Sequence, residues 1–355
     1  MCIGHIVRGG VVIVISTNIL RTPSLAEPET IYSVINTVKE MVKFSNQGEV
    51  TLEVNPTILE KAHLRDFKSA GINRVSVGVQ TLDSNALAVL GRDHTVKSAL
   101  ECVHDARVLF PGSVSVDLIF GFPGHSLSAW KRELQQLLQI CDKHISLYQL
   151  TLERGTQLFK MIEKGLTKLP PEDEIVDMYK TAVQVLKENG FERYEVSNFA
   201  KEVRYSTHNL AYWEGKQYIG VGPGAHGRFV VQSNDGSLER HARIQTLEPD
   251  NWMWEIERFN HATRKIVKQT KIDILEELLA LGMRICWGIS HQRWNQRCPQ
   301  LSLYDIFNSD IVSTYCSANL LKLDNRGLRA TPEGMDVLDS IIPDLILLLH
   351  QARAR

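Results

Sequence analysis

Short apolar runs alternate with longer amphipathic stretches along the first 200 residues of the chain. The runs are rich in valine and isoleucine, which is typical of strands buried on both faces. The stretches between them repeat their apolar positions at helical spacing, as do Ile31, Val34, Ile35 and Val38. The predicted strands are Val11–Ile15, Glu49–Val54, Arg74–Val79, Val114–Phe120, His144–Leu150 and Glu192–Ser197. The predicted helices are Glu27–Lys43, Ile58–Ala70, Ser84–Leu90, Val96–Phe110, Leu127–Cys141, Gln157–Lys164 and Asp173–Asn189.

This alternation predicts right-handed β-α-β units and a parallel sheet, and a barrel or partial barrel fits it best. A dinucleotide-binding fold is disfavoured, because no Gly-x-Gly-x-x-Gly follows a predicted strand. In a barrel the functional groups lie at the C-terminal ends of the strands. Polar side chains recur at those ends, among them Glu53, Gln80 and Asp117. Each alone is typical of a turn or helix cap, but together they predict a site at this edge.

The chain changes character after residue 200. Residues 201–229 are rich in aromatic residues and glycine and contain His208 and His226, which is typical of an ordered functional loop. Trp252–Tyr315 is predicted to be mostly helical. Beyond it, two apolar segments flank the turn at residues 324–327, as in the hairpin of a winged-helix module.

The overall composition excludes several classes of protein. The chain has 355 residues, 43% of them hydrophobic, which suffices for a sizeable core and for two domains or one large domain with an appendage. With 40 basic and 41 acidic residues the formal net charge is −1, and no dense basic stripe is visible, so nucleic acid is not an expected partner. No apolar run approaches the ~20 residues of a membrane span.

The six cysteines form no closely spaced pair. This spacing excludes a zinc ribbon, a thioredoxin-like dithiol and a small disulfide framework. Scattered thiols in a chain of this size indicate buried cysteines in a reducing compartment. The cysteines are Cys2, Cys102, Cys141, Cys286, Cys298 and Cys316.

The first 20 residues do not form a good targeting segment. Arg8 precedes the apolar run Val11–Ile15, but the run is too short for a signal-peptide core and no small-residue cleavage site follows. A buried first strand is therefore expected here.

Eight segments occur together in an order that resembles one known family. The order is that of the HemW-type branch of the oxygen-independent coproporphyrinogen oxidase family of radical S-adenosylmethionine (SAM) proteins, from about residue 22 to the C-terminus. HNLAYW at residues 208–213 matches the HNxxYW signature that separates this branch from true coproporphyrinogen oxidases. The segments are TPSLAEP (22–28), EVTLEVNPT (49–57), GINRVSVGVQTLDSNALAVLGRDH (71–94), VDLIFGFPG (116–124), ISLYQLTLERGT (145–156), RYEVSNFA (193–200), STHNLAYW (206–213) and YIGVGPGAHG (218–227).

The resemblance implies an α/β fold, a partial (β/α)6 TIM-like barrel followed by a C-terminal helical, winged-helix-like domain. The expected divisions are a divergent N-terminus at 1–21, the barrel with its HNxxYW region at 22–230, and the C-terminal domain at 231–355. It also implies a mitochondrial location. No Arg- and Ser-rich presequence is visible, so a cytoplasmic location is expected if a transit peptide is lost.

In the family a CxxxCxxC loop after the first strand holds a [4Fe–4S] cluster, and SAM chelates its open iron. This sequence contains no CxxxCxxC, and the family's GGTP reads Leu20-Arg21-Thr22-Pro23. The first strand of the barrel is therefore expected to be missing, the N-terminus to be an alternative one, and the cluster to be doubtful. Cys102 and Cys141 lie in predicted outer helices and are not expected to replace the ligands.

Other cofactor contacts of the family are retained. By position Glu53, Gln80, Arg92 and Asp117 match its SAM contacts. Carboxylate and amide groups can satisfy ribose hydroxyls, and Arg92 can pair with the methionyl carboxylate through two hydrogen bonds.

The resemblance further implies that this branch binds haem and delivers it to haem proteins. His208 is then the expected axial ligand of the haem iron, with Tyr205, Tyr212 and Trp213 packing on the porphyrin. The alternative is a loop histidine that is hydrogen-bonded to backbone. His226 is the second candidate, and Cys298-Pro299 is too short a pattern to carry an assignment.

The sequence therefore predicts a haem-binding chaperone on a radical-SAM scaffold, leaning away from an enzyme. Haem-accepting proteins are its expected partners, and a homodimer is left open. One alternative is a SAM-dependent radical enzyme that acts on a porphyrinogen. The other is a truncated, non-functional isoform, since loss of a barrel strand exposes the edge of its neighbour.

Overall fold

The computed structural model describes residues 3–7, 10–15, 23–42 and 48–353, which form two compact units. The first, here called the barrel unit, comprises residues 13–193 and 197–205. The second, the C-terminal unit, comprises residues 3–12, 194–196 and 206–355. The expected domain limits at 22–230 and 231–355 remain a prediction.

The barrel unit contains most of an open, mixed eight-stranded sheet, together with several of the predicted helices. A 3-10 turn spans Pro23–Leu25, and the predicted helix 58–70 is divided at His63. The first eight strands of the chain are β1 (Ile3–Val7), β2 (Gly10–Ile15), β3 (Val50–Val54), β4 (Arg74–Gln80), β5 (Val114–Phe120), β6 (His144–Gln149), β7 (Glu192–Arg193) and β8 (Asn198–Ala200). The helices are α1 (Pro28–Met41), α2 (Ile58–Ala62), α3 (Leu64–Ser69), α4 (Ser84–Val89), α5 (Val96–Leu109), α6 (Leu127–Ile140), α7 (Gln157–Glu163) and α8 (Glu172–Glu188).

The strand order is β1-β2-β3-β4-β5-β6-β8-β7. Strands β2 to β6 pair in parallel, as the alternation of strands and helices predicts. The fold is thus an α/β partial barrel, as expected. The prediction of a strand over Glu192–Ser197 is wrong in extent, because β7 ends at Arg193 and the chain returns as β8, antiparallel to both β6 and β7.

A strand does occupy the first position of the barrel. Ile13 pairs with Val50 and Ile15 with Leu52 in a parallel ladder between β2 and β3. The expected strand at Val11–Ile15 is therefore confirmed, and the expectation that the first barrel strand is missing is wrong. A β-branched run favours extended, paired backbone whatever loop follows it. The segment Leu20-Arg21-Thr22 and Cys2 lie outside the described residues.

The two faces of the parallel sheet differ in chemistry. On β4 and β5 the side chains of Val75, Val77, Val114 and Val116 are fully buried on one face, where α5 packs. The intervening positions carry polar groups. Because successive side chains of a strand point to opposite faces, this alternation gathers the polar groups on the other face.

From residue 206 onward the C-terminal unit starts with α9 and contains a three-stranded antiparallel sheet of order β11-β10-β9. The prediction that Trp252–Tyr315 is mostly helical is confirmed, because α10 to α14 cover more than half of that range, but β11 within it was not predicted. All residues of β11 after the first are exposed. Because neither face of this strand is buried, its sequence does not show the alternation of apolar and polar residues by which strands are predicted. The elements are α9 (Thr207–Trp213), β9 (His226–Gln232), β10 (Leu238–Gln245), α10 (Pro249–Phe259), β11 (Thr263–Lys268), α11 (Lys271–Gly282), α12 (His291–Asn295), α13 (Leu303–Phe307), α14 (Asp310–Ser317), β12 (Leu321–Asp324), β13 (Gly327–Ala330), α15 (Pro332–Asp336) and α16 (Leu338–Arg353).

The winged-helix-like hairpin is confirmed as β12 and β13. Gly327 has φ +130°, and a Cβ there would collide with the carbonyl oxygen of Ile289, so only glycine fits this turn. The core beside the hairpin is built around Trp294, which is fully buried. None of the helices in the described ranges is long and apolar enough to cross a membrane.

Candidate functional site

Three of the four predicted SAM contacts lie on or beside the polar face of the barrel unit. Glu53 of β3 is paired in register with Ser76 of β4, and Ser76 Oγ donates to Asp117 Oδ2 of β5 at 2.7 Å. Glu53 and Asp117 thus flank one serine on neighbouring strands. The structure therefore brings these two carboxylates to one region, as their strand positions predict.

Asp117 is already well hydrogen-bonded. Ser115 Oγ donates to its other oxygen at 3.0 Å, and Ser146 is a further hydroxyl partner. Ser115 Oγ also lies 2.8 Å from Nδ1 of the buried His144. Loss of water around the carboxyl raises the pKa of Asp117, while the serine hydroxyls act in the opposite direction. This polar cluster was not visible in the sequence, because its members come from three strands.

Gln80 has a strained position at the end of β4. Its φ is +67°, and the register between β4 and β5 shifts between Val77 and Gln80. The side-chain amide folds over Gly78, where a Cβ would lie 2.6 Å from Gln80 Nε2 and 3.5 Å from Asn55 Oδ1. Glycine at position 78 therefore lets the amide turn onto the polar face.

Arg92 lines a cavity of about 610 Å3 at the C-terminal edge of the sheet. A turn after α4 positions it: Gly91 has φ +67°, and the amide of Arg92 donates to Leu87 O at 2.9 Å. Its Nε is buried without a hydrogen-bond partner among the described residues, and burial lowers the pKa of the guanidinium. Ile119, two residues after Asp117 on β5, lines the same cavity.

These residues fit SAM. An unpartnered guanidinium donor in a largely apolar cavity suits a carboxylate, and the neighbouring carboxylate and amide groups suit hydroxyls. Arg92 would hold the methionyl carboxylate, and Glu53, Gln80 and Asp117 the ribose side.

The described cysteines do not fit an iron–sulfur cluster. Cys102 and Cys141 are buried, and burial raises the pKa of their thiols to about 12 and about 11. A cluster requires thiolates. Within the described ranges no three His, Cys, Asp or Glu side chains are grouped to hold a metal ion.

Glu60 is a supporting residue that the sequence did not reveal. Ser24 Oγ donates to its carboxylate, and the amide of Asn55 donates to Glu60 Oε2 at 2.9 Å. The side chain is 1% exposed, and this burial raises its pKa. Glu60 thereby ties the segment after Thr22-Pro23 to the end of β3, next to Glu53.

A buried pair, His125 and Glu133, braces two strand-end loops of the barrel unit. His125 Nε2 lies 3.6 Å from Glu133 Oε2, and Glu133 Oε1 accepts from the amide of Leu82, two residues after Gln80. Phe122 stacks on the His125 ring at 3.9 Å. Burial lowers the pKa of His125 to about 4 and raises the pKa of Glu133 to about 7, so both are largely uncharged in mildly acidic solution.

The pH dependence of the unfolding free energy should reveal the raised pKa of the Glu133 carboxyl. Glu133 keeps its proton up to about pH 7 in the folded chain, against a reference value of 4.5. Its stabilising contribution is therefore complete below pH 4.5 and is lost as the pH rises to about 7. We expect the unfolding free energy of the unchanged chain to fall by roughly 1–3 kcal/mol relative to Glu133→Gln across that window.

Urea titrations at several pH values measure this difference. His125 acts in the opposite direction, since its lowered pKa removes stability as the pH falls, but both proteins share that effect. The exposed Glu163→Gln is the matched control and should show a constant difference. A constant difference for Glu133→Gln as well would contradict the assignment.

His208 lies in the first turn of α9, in the C-terminal unit. Ser206 caps this helix by accepting from the amide of Asn209 at 3.3 Å. One turn later Tyr212 meets the His208 ring edge-on at 4.7 Å, and Tyr218 meets Tyr212 at 4.6 Å. The rings of His208, Tyr212 and Tyr218, here called the aromatic column, thus contact one another in succession. This packing restricts the orientation of the imidazole.

The cavity beside His208 is small. It has no room for a water-sized sphere, and Ala211, Tyr212 and Tyr218 are among its walls. Pockets that enclose drug-sized ligands measure roughly 300–1,000 Å3, so a porphyrin does not fit inside it. His208 is half-buried, so part of its side chain lies at the surface. The arrangement suits a haem bound at the surface.

The other haem candidates are placed differently. Tyr205 donates to Glu192 at 3.3 Å within the barrel unit, and the carbonyl of Trp213 accepts from Arg293 at 2.7 Å. His226 is exposed at the start of β9. Cys298 packs in the core of the C-terminal unit, so the Cys-Pro dipeptide does not present a free thiol at the surface.

The open parallel sheet with polar groups at its C-terminal edge, followed by a helical unit with a wing hairpin, defines a radical-SAM-type protein with a HemN-like C-terminal part. The model of the Radical SAM superfamily matches residues 8–137, and that of the HemN C-terminal domain matches residues 269–337. The resemblance was expected to start at about Thr22, but the match to the Radical SAM model starts upstream of it, at residue 8.

The chain belongs to the family of radical S-adenosyl methionine domain-containing protein 1 and HemW. It is 51% identical over 330 residues to "Radical S-adenosyl methionine domain-containing protein 1, mitochondrial" of Danio rerio, an alignment that spans 93% of this chain and 74% of the relative. It is 30% identical over 279 residues to "Heme chaperone HemW" of Bacillus subtilis, across 78% of this chain and 71% of that protein.

A solved structure shows the same fold. Coproporphyrinogen III oxidase (HemN) from Escherichia coli, described as a radical SAM enzyme, superposes with a TM-score of 0.72 over 92% of this chain and 75% of its own. The sequence identity is 18%, so this likeness concerns the fold alone. Together the comparisons place the chain in a haem-related radical SAM family.

Proposed function

We propose that this protein binds haem through His208 and delivers it to haem-accepting proteins. The observation that carries the proposal is the half-buried imidazole of the HNLAYW helix, which lies in contact with Tyr212, itself in contact with Tyr218. A neutral imidazole nitrogen is a common ligand of haem iron. The Bacillus subtilis relative is named as a heme chaperone, which supports the same role.

The open site suits a carrier better than a catalyst. An enzyme encloses its substrate to exclude water, whereas the cavity at His208 is too small to enclose a porphyrin. Several relatives are named mitochondrial, including those of Danio rerio and Mus musculus. A mitochondrial location, where haem proteins are abundant, agrees with the proposed role.

A SAM-dependent radical reaction on a porphyrinogen is the second candidate. The polar edge with Arg92, Gln80 and Asp117 favours it, because these residues fit SAM. When bound to a cluster, SAM supplies a carbon-centred radical. The absence of a CxxxCxxC sequence and the protonated, buried thiols of Cys102 and Cys141 weigh against that chemistry.

One experiment separates the two candidates. The protein is loaded with one equivalent of haem, freed of excess and mixed with apomyoglobin, whose spectrum reports transfer. We expect complete transfer to the tighter acceptor. In parallel, the protein is treated anaerobically with iron, sulfide, dithionite and SAM, and we expect no 5′-deoxyadenosine. Haem that neither binds nor moves contradicts the carrier role, and 5′-deoxyadenosine formation supports the enzyme.

A further inference from the structure

Four arginines of the C-terminal unit gather near helix α9 with too few carboxylates to neutralise them. Glu277 of α11 accepts from Arg228 Nε at 3.0 Å and from Arg240 Nη2 at 2.6 Å. Arg297 lies close enough to interact electrostatically with both Arg240 and Glu277, and Arg293 with Arg297. We call Arg228, Arg240, Arg293 and Arg297 the basic cluster.

The charges of the basic cluster do not balance. Glu277 is shared by two guanidinium groups, and Glu214, near Arg293, already pairs with Lys216 at 2.7 Å. The Arg297 side chain forms no hydrogen bond or ion pair within the described part of the chain, and it lies at the exposed edge of the cluster. Several guanidinium groups gathered with fewer carboxylates are typical of a site that receives an anion.

Two buried donors in the cluster, Nε of Arg240 and Nε of Arg293, also lack a hydrogen-bond partner among the described residues. Arg240 is 6% exposed. Buried polar groups are nearly always hydrogen-bonded in folded proteins. A donor left unpaired beside an unneutralised cation is a second, independent sign of a missing acceptor.

The aromatic column connects this cluster to His208. From the His208 ring, centroid separations of 4.7 Å and 4.6 Å lead through Tyr212 to Tyr218. Tyr218 in turn interacts with Arg228, Arg240 and Glu277, and its backbone pairs with that of Arg228. The cluster is therefore connected to the imidazole through two successive ring contacts.

We infer that the basic cluster binds the two propionate carboxylates of the haem whose iron His208 coordinates. The inference rests on the proposed function and adds the anionic half of the ligand to it. Guanidinium groups pair with carboxylates through strong, charge-assisted hydrogen bonds. Arg297 and Arg228, at the open edge, would contact the carboxylates, and Arg240 behind them would supply charge and a donor.

The test compares haemin with its dimethyl ester, which keeps the iron and the ring but carries no carboxylate charge. Arg297→Gln removes the unpaired cation at an exposed position, so the fold is not at risk. Arg326→Gln, in the exposed turn between β12 and β13, is the matched control. We expect Arg297→Gln to weaken haemin binding about tenfold, to leave binding of the ester unchanged, and to leave the Soret position unchanged.

Two results would overturn the inference. The first is an ester that binds the unchanged protein as tightly as haemin does. The second is an Arg297→Gln variant that binds haemin as Arg326→Gln does. If a His208-dependent Soret shift persists in either case, only the propionate assignment is wrong. If haemin produces no Soret shift at all, the proposed function fails together with this inference.

Discussion

Replacing His208 with alanine should abolish the shift of the Soret band that haem shows when it binds the protein. In the unchanged chain, haem titration should shift the Soret band as the imidazole coordinates iron. In His208→Ala the ring that Tyr212 and Tyr218 hold in place is gone, and no other histidine lies on α9. Loss of residues that merely support a metal ligand costs about 10–100-fold in affinity, so loss of the ligand should cost at least as much.

The measurement is absorbance titration with haemin, with circular dichroism to verify folding. His104→Ala, which removes an exposed histidine from α5 of the barrel unit, is the control and should bind haem normally. His226→Ala tests the second candidate ligand. A His208→Ala spectrum identical to that of the unchanged protein would exclude His208 as the axial ligand.

Trp130→Ala should produce the largest loss of stability in the barrel unit. Trp130 is fully buried on α6, its Nε1 donates to Met178 O of α8 at 2.9 Å, and its ring stacks on Phe120 of β5 at 5.7 Å. Truncation leaves a cavity and an unpaired carbonyl behind the strand that carries Asp117. We expect a loss of about 3–5 kcal/mol, measured by urea unfolding with circular dichroism.

Trp254→Ala provides the matched control. Trp254 lies on α10 and is 52% exposed, so its truncation should change the unfolding free energy by no more than about 0.5 kcal/mol. Trp130→Phe should fall between the two because it keeps the aromatic packing and loses only the indole hydrogen bond. Equal losses for Trp130→Ala and Trp254→Ala would contradict the packing described here.

The barrel unit was largely predictable because local patterns carry its elements. The predicted limits of β5 agree with the structure, and those of β3 and β4 differ by a single residue, since valines alternate with polar residues along each strand. The three-stranded sheet of the C-terminal unit was missed for the opposite reason. Strand β11 buries almost nothing on either face, so its pairing with β10 leaves no period in the sequence.

The residues of the candidate sites were likewise only partly predictable from the sequence. Polar residues at strand ends identified Glu53, Gln80 and Asp117, but not the serines around Asp117, of which Ser76 is 41 residues away. The basic cluster was likewise invisible, because Arg228 and Glu277 are 49 residues apart and sit on a strand and a helix. No local pattern links such positions. The SAM and haem assignments themselves remain predictions that rest on the resemblance.

The small cavity at His208 has a consequence for how long haem stays bound. A haem attached to an open helix face has little protein to move aside before it leaves, so its residence time should be short, and differences in affinity between related sites reside mostly in the dissociation rate. A deep pocket in an acceptor gains the hydrophobic burial that this face does not provide. The transfer of haem from this protein to the acceptor would then lower the free energy, and no chemical energy would be consumed.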